Sequence, residues 1–150
     1  MNNLNSKLKY VLDKVKTIKN PQVLELGVRK GKSTNLFLDI CDKNNGHLIS
    51  VDIEDCSNVS NNPSWEFIHT SDDNFELINS RIKKHLDVIY IDSLHQDSHV
   101  KKVLFNYYNF LKVDGLCFID DISWLPYISG KKKTILIWKR LILEFFNKVL

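Results

Sequence analysis

Five short apolar runs punctuate this sequence, and the stretches between them carry the three-to-four-residue spacing of helices. The runs are VLEL at 23–26, HLISVD at 47–52, WEFIHT at 65–70, DVIYID at 87–92 and LCFIDD at 116–121. Ahead of the first, Leu4, Leu8, Val11, Leu12, Val15 and Ile18 form a helical stripe that Asn20-Pro21 stops. Helical segments follow at 33–42, 74–84 and about 98–112, with turns marked by Asn44-Asn45-Gly46 and Asp114-Gly115. Strands separated by helices are those of parallel crossovers, since a tight turn joins only antiparallel neighbours. The expected fold is therefore α/β, a doubly wound, mostly parallel sheet of about five strands. At 150 residues with 43% hydrophobic content the chain is sized for one domain, residues 1–150.

Ligands of such sheets bind in the crevice beyond the carboxyl ends of the strands. That rule selects Glu25 and Gly27 after the first run, Asp52 after the second, and Thr70 to Asp73 after the third. Asp92 and His95 follow the fourth, and Asp120 and Asp121 the fifth. Any one carboxylate at a strand end reads equally as a turn or cap residue. Five strand ends converging on one rim call for a shared role.

The first of these ends, VLELGVRKGKS, closes in the Gly-Lys-Ser of a phosphate loop, yet its spacing fits neither familiar phosphate motif. Only Val28, Arg29 and Lys30 separate Gly27 from Gly31, and Arg29 stands where a dinucleotide loop needs its second glycine. Glu25 beside the turn would repel a polyphosphate, whereas a cationic ligand suits it. A P-loop hydrolase is thus the weakest of the readings. With 21 basic against 18 acidic residues, the net charge of +3 requires no nucleic-acid partner, and Lys131, Lys132 and Lys133 read as a solvated loop. Three cysteines without C-x-x-C spacing indicate neither a disulfide framework nor a zinc site. The polar start and the lack of a long apolar run lead us to expect a cytoplasmic protein without a membrane partner.

Over roughly residues 20–125 the chain resembles the class I S-adenosylmethionine-dependent methyltransferases, and its first loop resembles that of the metal-dependent catechol-type and macrocin-type O-methyltransferases. The resemblance implies S-adenosylmethionine as cofactor. Gly27 and Gly31 would let the backbone approach its methionine part, Glu25 would lie near the ammonium, and Ser33 at a helix N-terminus would bind the carboxylate. Asp52 matches the acidic residue that accepts both ribose hydroxyls. In FIHTSDDN, Ser71 and Asp72 match positions at the adenine edge, although helix capping explains the same residues.

The segment at 90–124 resembles the part of these enzymes in which one Asp ends strand four and an acidic pair ends strand five, here Asp92, Asp120 and Asp121. Three such carboxylates repel one another unless a cation or protons neutralise them, and hard oxygen ligands suit Mg²⁺, or alternatively Mn²⁺ or Ca²⁺. Asp92 has a second reading, as a holder of the cofactor's amino group. His95, three residues past Asp92, would be a general base, and the occurrence of a similar Asp-x-x-His segment in related sugar-modifying sequences supports a site role; capping of the next helix is the other reading. His99, one helical turn on, has a weaker claim, and Trp124 would wall the acceptor pocket.

The family's sheet normally continues past strand five, whereas here 134–150 reads as one helix that is apolar nearly all round. It is expected to pack on the sheet and on a second subunit, making a homo-oligomer through that helix or the edge of strand five. The leading expectation is methyl transfer to an oxygen of a small hydroxylated acceptor, a sugar or diol, assisted by a divalent metal. The alternative is a cofactor-binding module or partner-dependent subunit with no transferase activity of its own.

Overall fold

The computed structural model describes residues 6–120. The elements run α1 (Ser6–Val15), β1 (Gln22–Leu26), α2 (Lys32–Asn44), β2 (His47–Asp52), β3 (Trp65–His69), α3 (Phe75–Arg81), β4 (Leu86–Ile91), α4 (Asp97–Tyr107), a single 3₁₀ turn (Tyr108–Phe110) and β5 (Leu111–Ile119). The five strands form one sheet in the order β3-β2-β1-β4-β5, with every pairing parallel. The order reverses between β1 and β4, so the switch point lies between the carboxyl ends of those two strands.

Residue alternation along the strands divides the core in two. On one face Leu24, Leu26, Ile49, Val51, Ile89 and Ile91 pack with Ile78 of α3 and with Val103, Leu104 and Tyr107 of α4. On the other, Val23, Leu48, Val88 and Tyr90 pack with Leu8, Val11, Leu12 and Val15 of α1 and with Phe37, Leu38, Ile40 and Cys41 of α2. Each fully buried aliphatic side chain contributes about 1.5–3 kcal/mol by leaving water, so both faces hold the sheet. Helix α2 ends where Asn45 takes the left-handed conformation, φ 55°, and its N–H caps the Cys41 carbonyl. The predicted turn at 44–46 is the device that stops it.

Strand five begins earlier than the sequence suggests. Leu86 pairs with Leu111 but Val88 with Leu116, so the residues between bulge out of the ladder, with Asp114 at φ 65°. The Asp114-Gly115 pair is thus an irregularity within β5 rather than a turn before it. Among the described residues β5 forms one edge of the sheet and β3 the other. Among them, too, no helix is long and apolar enough to cross a membrane. Cys41, Cys56 and Cys117 are free thiols. The helix expected at 134–150, with Asp121 and Trp124, falls outside the described residues.

Candidate functional site

The loop from Gly27 to Gly31 follows directly from the end of β1, and its shape depends on Asp52 at the end of β2. Asp52 Oδ2 accepts the N–H of Val28 at 2.7 Å and of Arg29 at 2.9 Å, while Oδ1 accepts the Glu54 N–H at 2.9 Å. Arg29 is left-handed, φ 52°, which a non-glycine residue adopts at a cost that these bonds offset. Burial alone would raise the pKa of Asp52, but the N–H groups of Glu54, Arg29, Val28 and Ile53 outweigh it and hold the carboxyl below its ordinary value. N–H groups that would converge on a phosphate in a P-loop are here taken up by the chain's own carboxylate, which would also repel that phosphate. Oδ2 is filled by its two N–H groups, and the acceptor capacity that remains for a further donor lies on Oδ1.

The two loop glycines serve different neighbours. A Cβ on Gly27, φ +100°, would lie 2.2 Å from the Asp92 carbonyl oxygen, so only glycine lets the ends of β1 and β4 close together at the switch point. A Cβ on Gly31 would meet Val59 Cγ1 at 2.2 Å. Gly31 is therefore needed by the polar segment that follows β2, and it does not line the crevice described below.

Glu25 lies beneath this loop, fully buried on the α1/α2 side of the sheet. Its Oε2 accepts from Thr34 Oγ1 at 2.8 Å and from Ser50 Oγ at 2.7 Å, Ser50 being its register partner on β2. Trp65 Nε1 donates in turn to Ser50 Oγ at 2.9 Å. Oε1 is buried with no hydrogen-bond partner. Burial pushes the carboxyl up from 4.5 to about 7, against the hydroxyls of Ser33, Ser50 and Thr34, which favour the ionised form; Asp92 adds to the rise. An unmatched acceptor of this kind fits a cationic donor. Ser33 is buried in the first turn of α2, whose leading N–H groups suit an anion.

Past β3, the chain is stapled to α4. Asp72 Oδ1 lies 2.8 Å from His99 Nε2, and its Oδ2 accepts from the Ser93 hydroxyl. The Tyr107 hydroxyl donates to the Asp72 carbonyl at 2.7 Å. Asp73 accepts from Ser71 Oγ at 2.6 Å and Lys102 Nζ at 2.9 Å, which together hold it near 2.

At the ends of β4 and β5, His95 Nε2 lies 3.6 Å from Asp92 Oδ1, and the Tyr90 hydroxyl donates to Asp120 Oδ2 at 3.3 Å. Burial and then the charges of Asp92 and Asp120 drive the Tyr90 phenol far above its ordinary value, so Tyr90 stays a donor. The described residues hold no cluster of three potential metal ligands, and Asp121 lies outside them. Asp92 and Asp120 nonetheless offer hard oxygen donors on adjacent strands, the donor type a divalent cation needs.

A single cavity of about 420 Å³ gathers these strand ends: Gly27, Asp52, Ser71, Asp72 and Asp92 line it, together with Arg29, Ile53, Glu54, Leu94 and His99. Four carboxylates against one guanidinium and one imidazole give it an acidic wall, and the exposed side chains of Ile53 and Leu94 give it apolar jaws. Glu25, Ser33, Gly31 and His95 are not among the lining residues. Asp120 lines a different cavity, with Tyr90, Phe118 and the α1 residues Leu8, Tyr10 and Val11. Sequence reasoning underrated His99 and missed Ser93 and Ile53; the exposed aliphatic directly after Asp52 was a readable signal, whereas the pairing of His99 with Asp72 spans 27 residues.

A family model described as a methyltransferase domain matches residues 24–122. None of the curated proteins matches the chain. Among solved structures, the MycE methyltransferase of the mycinamycin biosynthetic pathway, in complex with Mg and SAH, superposes with a TM-score of 0.71 at 20% identity, over 87% of this chain and 35% of that one. A Staphylococcus aureus protein described as a caffeoyl-CoA O-methyltransferase gives 0.67 at 19% identity, over 94% and 71%. The SAH-bound Podospora anserina methyltransferase PaMTH1 gives 0.71 at 9% identity, over 97% and 71%. The likeness is one of fold, and this chain spans about a third of the MycE chain.

Proposed function

This chain belongs to the methyltransferase-domain family, and from that premise we propose that it transfers the methyl group of S-adenosylmethionine to an oxygen of a small hydroxylated acceptor, a sugar or vicinal diol. The observation that carries the reading is the acidic crevice at the switch point, where Gly27, Asp52, Ser71, Asp72 and Asp92 line one cavity. Its carboxylates complement a ligand bearing a sulfonium and an ammonium. Asp52 Oδ1 has acceptor capacity left for a ribose hydroxyl, Ile53 and Leu94 present apolar surface to a flat base, and Ser71 and Asp72 would meet the base edge. Glu25 and Ser33 lie behind the crevice wall, and by resemblance the first would face the ammonium and the second, with the first turn of α2, the carboxylate.

S-adenosylmethionine supplies a sulfonium methyl that an oxygen nucleophile displaces in line. The protein's contribution is to hold the two reactants in contact, which alone is worth many orders of magnitude in effective concentration. His95, 3.6 Å from Asp92, would accept the acceptor's hydroxyl proton. Asp92 and Asp120, with Asp121, would hold Mg²⁺, or alternatively Mn²⁺ or Ca²⁺, and such an ion would supply a charge that lowers the pKa of the attacking hydroxyl.

Methyl transfer to a panel of sugars and diols, with and without chelator, tests both halves. The expected result is turnover that chelator abolishes and that Asp120→Ala abolishes likewise. Full turnover in both cases removes the metal from the mechanism, and cofactor binding without any product favours the binding module.

A further inference from the structure

Tyr90 carries a hydroxyl that the core does not require. Its ring is buried between the sheet and helices α1 and α2, where it meets Phe37 edge-on with the ring centroids 5.4 Å apart. A phenylalanine would pack there with the same shape, as Phe118, its register partner on β5, packs against that core from the next strand. The hydroxyl instead reaches Asp120 Oδ2 at 3.3 Å, and both residues line the cavity of about 380 Å³ beside α1. An ionised carboxylate only accepts, so the phenol is the donor. The contact is not needed to hold the strand end. Ile91 pairs with Ile119, and the Asp120 N–H donates to the Ile91 carbonyl at 2.8 Å, so the sheet itself fixes the backbone there. The same register sets Asp120 beside Asp92, the residue after Ile91. What the hydroxyl adds is a direction for the Asp120 carboxylate, whose terminal torsion is broad in an aspartate without a tether.

We infer that Tyr90 is a positioning residue whose hydroxyl orients Asp120 as a ligand of a divalent cation and so raises the affinity for that ion. The inference rests on the metal half of the reading above. Groups that hydrogen-bond to the ligands of a metal fix their orientation, and losing one costs about 10–100-fold in metal affinity. A contact of 3.3 Å is long for a hydroxyl on a carboxylate, which points to the lower end of that range.

Mn²⁺ titrated into the full chain with S-adenosylhomocysteine present, free Mn²⁺ being read by electron paramagnetic resonance, tests this on the wild type, Tyr90→Phe and Asp120→Asn. The wild type is expected to bind Mn²⁺ saturably, Asp120→Asn to lose that binding, and Tyr90→Phe to weaken it by about tenfold. Thermal midpoints measured without metal separate this from a packing effect, and Tyr90→Phe should unfold close to the wild type. Equal or tighter Mn²⁺ binding by Tyr90→Phe overturns the positioning role while leaving the metal site intact, and so does weaker binding that comes with a large fall in its metal-free midpoint. A wild type that binds no Mn²⁺, or binds it as well after Asp120→Asn, overturns the metal reading itself, and the inference with it.

Discussion

Replacing Glu25 by glutamine isolates the least comfortable group in the fold. The wild-type carboxyl is fully buried and lies at about 7 in the folded chain against 4.5 ordinarily. Between those values the folded protein keeps a proton that the unfolded chain has lost, so stability falls as pH rises through the window, and the loss is complete above the folded value. A displacement of this size corresponds to about 3 kcal/mol at about 1.4 kcal/mol per pH unit. Glutamine is close in shape, and its carbonyl still accepts from Thr34 and Ser50, but it has nothing to ionise. Urea denaturation followed by tryptophan fluorescence at pH 5 and pH 8 reads the difference. The variant should gain on the wild type by roughly 2–3 kcal/mol between the two pH values. A gap between the proteins that does not change with pH would show that Glu25 is not held protonated by burial.

Two other perturbations probe the loop. Gly27→Ala puts a Cβ 2.2 Å from the Asp92 carbonyl at a φ that L-residues avoid, so it should destabilise the chain by about 3 kcal/mol or more, seen as a fall in the thermal midpoint. Asp52→Ala removes the acceptor of the Val28, Arg29 and Glu54 N–H groups and should cost about 1–3 kcal/mol at neutral pH. Because the folded carboxyl of Asp52 lies below its ordinary value, that deficit should shrink as acid titration passes through the folded value, and denaturation at pH 7 and pH 3 tests the sign.

The strand ends were legible because the pattern that marks a parallel strand also says where it stops: Asp52 and Asp92 fall where an apolar run gives way to polar residues, and both reach the crevice. The glycines were legible as turns, but their neighbours were not. Gly31 matches a ligand-approach position in the family pattern, and only the path of the chain past β2 brings Val59 against it. The start of β5 was misread because Asp114-Gly115 carries turn chemistry, and the pairing of Leu111 with Leu86 overrides it from outside the local sequence. Glu25 was placed near the ligand by resemblance, and its burial beneath the loop follows from a register with Ser50 that no local pattern encodes. His99 was discounted for the same reason, since its partner Asp72 lies 27 residues away in the loop past β3.

A crystal structure of the chain soaked with S-adenosylhomocysteine bears most directly on the central claim. The account requires the nucleoside in the crevice between the ends of β1 and β4, a ribose hydroxyl on Asp52 and its base between Ile53 and Leu94. A ligand found elsewhere, or a crevice that stays closed to it with Glu25 and Asp52 turned only toward their own chain, contradicts the account.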